Sequence, residues 1–155
     1  MNTVFDFLIN AKNSWPKKTV LTHGKQDITF KEFYYKVNQR RKRLIDLGAK
    51  PGDRVAICME KSINQAINIF AIICCNCIFV PILPKLKSNT INHITKDCDI
   101  KFIITDKHRI NEVNLIVDNS KIIIGESSSN KKYLNLLIDK DNLDEKINFN
   151  FISND

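Results

Sequence analysis

Glycine and proline are scarce in this chain, four of each among 155 residues, and tryptophan occurs once. Several signatures of function are missing too. The cysteines (Cys58, Cys74, Cys75, Cys77 and Cys98) are odd in number, and Cys74-Cys75-Asn76-Cys77 lacks the two paired ligand sets of a structural zinc site. Most of them sit among apolar residues, so reduced core thiols in a cytoplasmic protein are expected. Asp139, Asp141, Asp144 and Glu145 lack the glycine and distal glutamate of a calcium loop and read as a charged surface. Asp6 and Asn10 interrupt any apolar run at the amino end, and no basic start precedes it, which argues against a secretory signal. Residues 63–83 are apolar and long enough to cross a bilayer. Asn64, Gln65, Asn68, Asn76 and Pro81 interrupt them, so a buried helix and then a buried strand are expected, and no membrane span.

No catalytic pair stands out either. His93 falls on a short helix with no nucleophile beside it, and a helix-surface place is expected. His23 precedes Gly24 in a turn and reads as exposed. His108 follows a strand end between Asp106 and Arg109, where α/β proteins often place ligand groups; a solvated loop is nonetheless the expectation. Lys61 precedes Ser62 at a helix start, which suits an anion and equally an ordinary surface position. No residue is therefore assigned a catalytic, cofactor-binding or metal-binding role.

What is present is a core. Hydrophobic residues make up 43% of the chain, too many for a disordered segment. The net charge of +7 resides in residues 1–50, which hold 11 Lys/Arg against 4 Asp/Glu; the remainder is neutral with 13 of each. Arg40-Arg41-Lys42-Arg43 is the centre of that excess. A basic run suggests nucleic acid or an anionic membrane, but no RNA-binding aromatic signature or zinc-finger spacing accompanies it. Within a helix it reads as a solvated face, and nucleic acid is not expected as a partner.

Apolar spacing and punctuation give an element order. Thr3 is placed to cap a first helix carrying Val4, Phe5, Leu8 and Ile9, ended by Trp15-Pro16. Residues 19–22 and 27–30 predict a hairpin through Gly24-Lys25-Gln26. Thr29-Phe30-Lys31-Glu32 is a capping box, opening a helix that buries Phe33, Val37, Leu44 and Leu47 and stops at Gly48. Residues 54–59 predict a strand, Ser62-Ile63-Asn64-Gln65 a second capping box, and residues 63–75 a helix. Residues 78–82 show no polar alternation and predict a strand covered on both faces. Ser88 is placed to cap a helix carrying Ile91 and Ile94. Residues 101–105 and 121–124 predict strands. Ser127-Ser128-Ser129-Asn130 reads as a loop, residues 133–138 as a short helix, and residues 147–152 as a strand or ordered tail. Alternating strands and helices point to an α/β fold with a largely parallel sheet.

Particular phrases say more. Asp27-Ile28-Thr29-Phe30-Lys31-Glu32-Phe33 and Leu47-Gly48-Ala49-Lys50-Pro51-Gly52-Asp53-Arg54-Val55-Ala56-Ile57 are followed by Phe79-Val80-Pro81-Ile82-Leu83-Pro84. Asp97-Cys98 then precedes Phe102-Ile103-Ile104-Thr105-Asp106. In that order and spacing they resemble the opening motifs of the adenylate-forming enzymes: acyl-CoA synthetases, luciferases and peptide-synthetase adenylation domains. The resemblance is strongest over residues 3–106, and the whole of 1–155 reads as a partial N-terminal AMP-binding domain. Pro84-Lys85-Leu86-Lys87, His93-Ile94 and Asp97-Cys98 look most like an acyl-CoA ligase branch associated with exosortase systems. Asn76-Cys77-Ile78 stand where the family usually has a small residue.

The resemblance implies a fold, the N-terminal subdomain of the large domain with an N-terminal hairpin. It also implies a reaction in which a fatty or other carboxylic acid is joined to AMP using ATP and Mg²⁺, then passed to CoA or a carrier thiol. The family's Ser/Thr/Gly-rich phosphate loop ending in Pro-Lys has no counterpart here. Close approach to phosphate needs glycines that expose backbone amides, and a cation; Ser127-Ser128-Ser129 offers neither. The later acidic residue that grips the ribose and the C-terminal domain with its catalytic lysine are also absent. The expectation is a scaffold portion, inactive alone, whose natural partner is the missing C-terminal part of the ligase. A split-gene subunit and a stand-alone interaction module with a basic helix are the alternatives.

Overall fold

The computed structural model describes residues 3–114, 122–125 and 134–135. Helix α1 (Val4–Ser14) opens on Thr3, whose hydroxyl accepts from the Asp6 amide while the Asp6 carboxylate accepts from Thr3 N at 2.8 Å. Strands β1 (Thr19–His23) and β2 (Gln26–Thr29) pair antiparallel as a separate two-stranded sheet. The expected capping box then forms: Thr29 N donates to Glu32 Oε2 at 2.9 Å and Glu32 N to Thr29 Oγ1 at 3.3 Å, starting α2 (Phe30–Asp46). Helix α2 buries Phe33, Tyr34, Val37 and Leu44 along one stripe and ends before Gly48, whose φ of +94° a side chain rarely tolerates.

The main sheet contains β3 (Arg54–Cys58), β4 (Ile78–Pro81), β5 (Phe102–Thr105), β6 (Ile122–Ile124) and β7 (Leu134–Asn135), all parallel, in the order β4-β3-β5-β6-β7. Helices α3 (Ile63–Cys74), α4 (Ser88–Asp97) and α5 (Ile110–Asn114) intervene. Register and burial agree. Ile57, Ile104 and Ile123 are lateral neighbours and join a core with α1, α2 and α3. One position earlier, Ala56, Ile103 and Ile122 form the next row and join a second core with Ile91 of α4 and Val113 of α5. Successive residues thus face opposite cores, and the strands read as continuous apolar runs because both faces are covered. This α/β architecture, a parallel sheet between two helical layers with a hairpin ahead of it, is the one the sequence implied.

Four local expectations are corrected. Residues 78–82 were expected to be covered on both faces. Among the described residues β4 instead lies at the sheet edge, with Ile78 48% exposed and Leu83 beyond it 70% exposed. Pro81 suits that place, since an edge strand can spare an amide. At α3 only half of the second capping box forms: Ser62 Oγ accepts from Gln65 N at 3.1 Å, but the Gln65 amide turns away to donate to Met59 O at 3.0 Å. Ser88 is the first residue of α4 rather than its cap; Lys87 takes the cap position and supplies no side-chain bond. Finally, Leu134 and Asn135 belong to a strand beside β6, not to a helix. Pairing to an existing sheet edge overrides the local helical pattern there. The expectations for residues 127–130, 139–145 and 147–152 lie outside the described residues.

Candidate functional site

A parallel sheet gathers the loops after its strands at one edge, and its order reverses where the chain doubles back. From β3 the chain passes through α3 to β4 on one side, then crosses back through α4 to β5 on the other. The reversal therefore lies at the carboxyl ends of β3 and β5. Asp106, 3% exposed, occupies that point. Its Oδ2 accepts from Glu60 N at 2.8 Å, and its Oδ1 accepts from the His108 and Arg109 amides at 3.0 Å each. Both oxygens are engaged in tying the two loops together. Thr105 Oγ1 adds a bond to Cys58 O at 2.9 Å, so the two strand ends are fastened by side chains as well as by pairing.

Beside this point lies an open groove of about 240 Å³ lined by Lys85, Leu86, Lys87, Ser88, Arg109 and Glu112. Arg109 spans it, donating to Leu86 O at 2.7 Å and to Glu112 Oε1 at 3.2 Å. The groove offers cations and hydrogen-bond donors but no nucleophile–base pair.

On the other face of the sheet, the basic run behaves differently from expectation. Arg40 is 1% exposed, not part of a solvated face. Its Nη1 donates to Gly125 O at 2.7 Å and to Asn68 Oδ1 at 3.0 Å; its Nη2 donates to Asn64 Oδ1 at 3.1 Å. All three acceptors are neutral, and burial lowers the guanidinium pKa to about 10, which leaves it charged at neutral pH. Arg41 is also engaged, with Nε donating to Cys74 O at 3.0 Å and the guanidinium 4.6 Å from the centre of the Phe5 ring. Lys42 is exposed and Arg43 half-buried, so the run is divided between core and surface. The signal was present in the sequence: Phe33, Val37, Arg40 and Leu44 fall at i, i+4, i+7 and i+11, one helix stripe.

The remaining candidates fall as follows. His23, His93, His108 and Lys61 are exposed. Cys58, Cys74, Cys75 and Cys77 are buried free thiols and Cys98 is half-buried. Burial pushes the Cys74 and Cys75 thiols up to about 11 and about 12, which makes them poor nucleophiles and poor metal ligands. Among the described residues no three of His, Cys, Asp or Glu are grouped to hold a metal ion. No helix of the described residues is long and apolar enough to cross a membrane.

Comparison with known proteins agrees with the fold. Residues 8–153 match the family of AMP-binding enzymes. Malpibaldin synthetase from Mortierella alpina is 32% identical over 101 residues, which cover 65% of this chain and 2% of that protein. Other curated relatives are mostly peptide synthetases, among them gramicidin S synthase 1 of Brevibacillus brevis, 28% identical over 75% of this chain and 11% of its own length. The solved N-terminal domain of FACL13 from Mycobacterium tuberculosis superposes with a TM-score of 0.70 at 20% identity, covering 75% of this chain and 30% of that one. The chain therefore spans only a small part of the proteins it matches.

Proposed function

This chain belongs to the AMP-binding enzyme family, and from that membership we propose that it supplies the front scaffold of an adenylation domain and is inactive alone. The match along residues 8–153 carries this reading. In the full reaction a carboxylate oxygen attacks the α-phosphorus of ATP and displaces pyrophosphate; a thiol of CoA or a carrier then attacks the acyl carbonyl and displaces AMP. The described residues do not fit Mg²⁺ or the ATP phosphates. Both oxygens of the buried carboxylate, Asp106, are taken by backbone amides, and no glycine-rich loop lies among the described residues. What this chain contributes is the sheet and the fastened loops that hold the neighbouring parts in register.

The partner in this reading is the remainder of the ligase, in the same polypeptide or a second one. The curated relatives, mostly peptide synthetases, favour an amino acid substrate over fatty acid metabolism. Placement in the exosortase-associated branch rests on residues 84–87, 93–94 and 97–98 alone. The free cysteines suit a reducing, cytoplasmic compartment. The test is ATP–pyrophosphate exchange with panels of fatty, aryl and amino acids. The 155-residue chain is expected to show none, and clear turnover by it overturns the proposal. Exchange that appears only on adding a polypeptide beginning at the phosphate loop supports a two-chain enzyme.

A further inference from the structure

We infer that Arg40 and Asn68 form a buried clamp on the carbonyl of Gly125 and act as positioning residues for the Gly125 backbone at the end of β6. The residue that follows β6 is held from two sides, through its amide and through its carbonyl. Gly125 N donates to Thr105 O at 2.8 Å, which secures it to β5. Gly125 O accepts from Arg40 Nη1 at 2.7 Å and from Asn68 Nδ2 at 3.3 Å, which secures it to α2 and α3. Two donors fill both acceptor directions of a carbonyl oxygen. The contact also requires glycine for steric reasons. A Cβ at position 125 would lie 2.5 Å from Asn68 Nδ2 and 2.8 Å from both Ile104 Cγ2 and Met59 Sδ.

The energetics mark this as more than core filling. Arg40 is among the largest fully buried side chains and Asn68 is 0% exposed, yet neither ion pair found among the described residues gives Arg40 a carboxylate. Desolvating a guanidinium without an anion is costly, and an apolar side chain of similar length fills the same space at lower cost. An apolar side chain cannot hold a carbonyl. The arrangement therefore exchanges stability for a fixed direction of the chain at Gly125, and it couples that direction to the placement of two helices from the first half of the sequence. This inference goes beyond the scaffold role and stands without it.

The experiment uses the 155-residue chain with ¹³C-carbonyl glycine; with four glycines there are four carbonyl signals. In Arg40→Met the Gly125 carbonyl signal is expected to move while those of Gly24, Gly48 and Gly52 stay. The Gly125 amide should exchange at least tenfold faster relative to the Ile57 amide. Arg40→Lys, which keeps the charge and one reaching donor, should recover part of both effects. Equal shifts at all four glycines, or an unmoved Gly125 signal, overturn the clamp. Should Arg40→Met fail to fold, the parent protein decides alone. Its Arg40 guanidinium protons should exchange at least tenfold more slowly than those of exposed Arg54, and equal rates overturn the inference.

Discussion

Arg40 is a buried cation that faces only neutral acceptors, so an anion placed against it should stabilise the protein. Asn64→Asp is the smallest such change. Asn64 Oδ1 already accepts from Arg40 Nη2 at 3.1 Å, so the replacement keeps the geometry and adds a charge. Two unit charges about 4 Å apart attract by about 4 kcal/mol at an effective dielectric constant of about 20. Partial desolvation of the new carboxylate offsets much of that, because Asn64 is half-buried. Arg40 is desolvated in the parent protein in any case and adds no new cost. Position 64 also lies in the first turn of α3, which has no acidic residue, and a negative charge there adds about 0.3–1 kcal/mol. The net expectation is a gain of about 1–2 kcal/mol at pH 7, read by urea unfolding. Arg40 should depress the folded pKa of the introduced carboxylate below its unfolded value of about 3.9. The gain is then present above that value and lost as pH falls through the folded pKa. In an Arg40→Met background the gain should shrink to the helix-dipole part. Destabilisation at pH 7, or an equal gain without Arg40, would refute the account of an uncompensated buried charge.

Three further outcomes are expected. Thr29→Ala removes the hydroxyl that accepts from Glu32 N and should cost about 1 kcal/mol in urea unfolding. Bonds from Thr29 hold the Glu32 carboxyl below its ordinary value, so the box contributes above the unfolded pKa and its contribution fades as pH falls through the folded one; a larger loss in acid than at pH 7 contradicts this. Asp106→Ala leaves the Glu60 and His108 amides without their acceptor and should cost about 2–4 kcal/mol, with fast hydrogen exchange at both, while Arg109 N keeps the residue-106 carbonyl; protection retained at Glu60 and His108 refutes the fastening role. In the native protein a thiol reagent at pH 8 should label half-buried Cys98 first, and Cys58, Cys74, Cys75 and Cys77 only in denaturant; rapid labelling of Cys75 contradicts its burial.

What was legible in the sequence is what local chemistry decides. Thr29 and Glu32 start α2 with their own side chains, Gly48 ends it, and both facts precede any tertiary contact. The strand order along the chain was equally plain, because a parallel strand covered on both faces needs apolar residues at consecutive positions. The same reasoning misplaced β4: an apolar run states that a strand is greasy, not where it sits, and only the sheet order puts residues 78–81 at the edge among the described residues. Gln65 shows a similar limit, since its amide fits a capping box and found Met59 O, a partner that exists only once β3 and α3 pack together.

The site divides in the same way. Family membership followed from ordered phrases between Asp27 and Asp106, each a record of local turns, caps and strand starts. Arg40 and Asp106 did not follow, although both were in view. One stood in a run of four basic residues that composition assigns to solvent; the other was a strand-end carboxylate two residues before a histidine. Their roles depend on groups 85 and 46 residues away, the Gly125 carbonyl and the Glu60 amide. The sequence by itself determined most of the elements and the family they build, while α5 and the strand at Leu134–Asn135 were not legible in it. The tertiary structure alone decided which charges are buried, because that depends on partners no local pattern names.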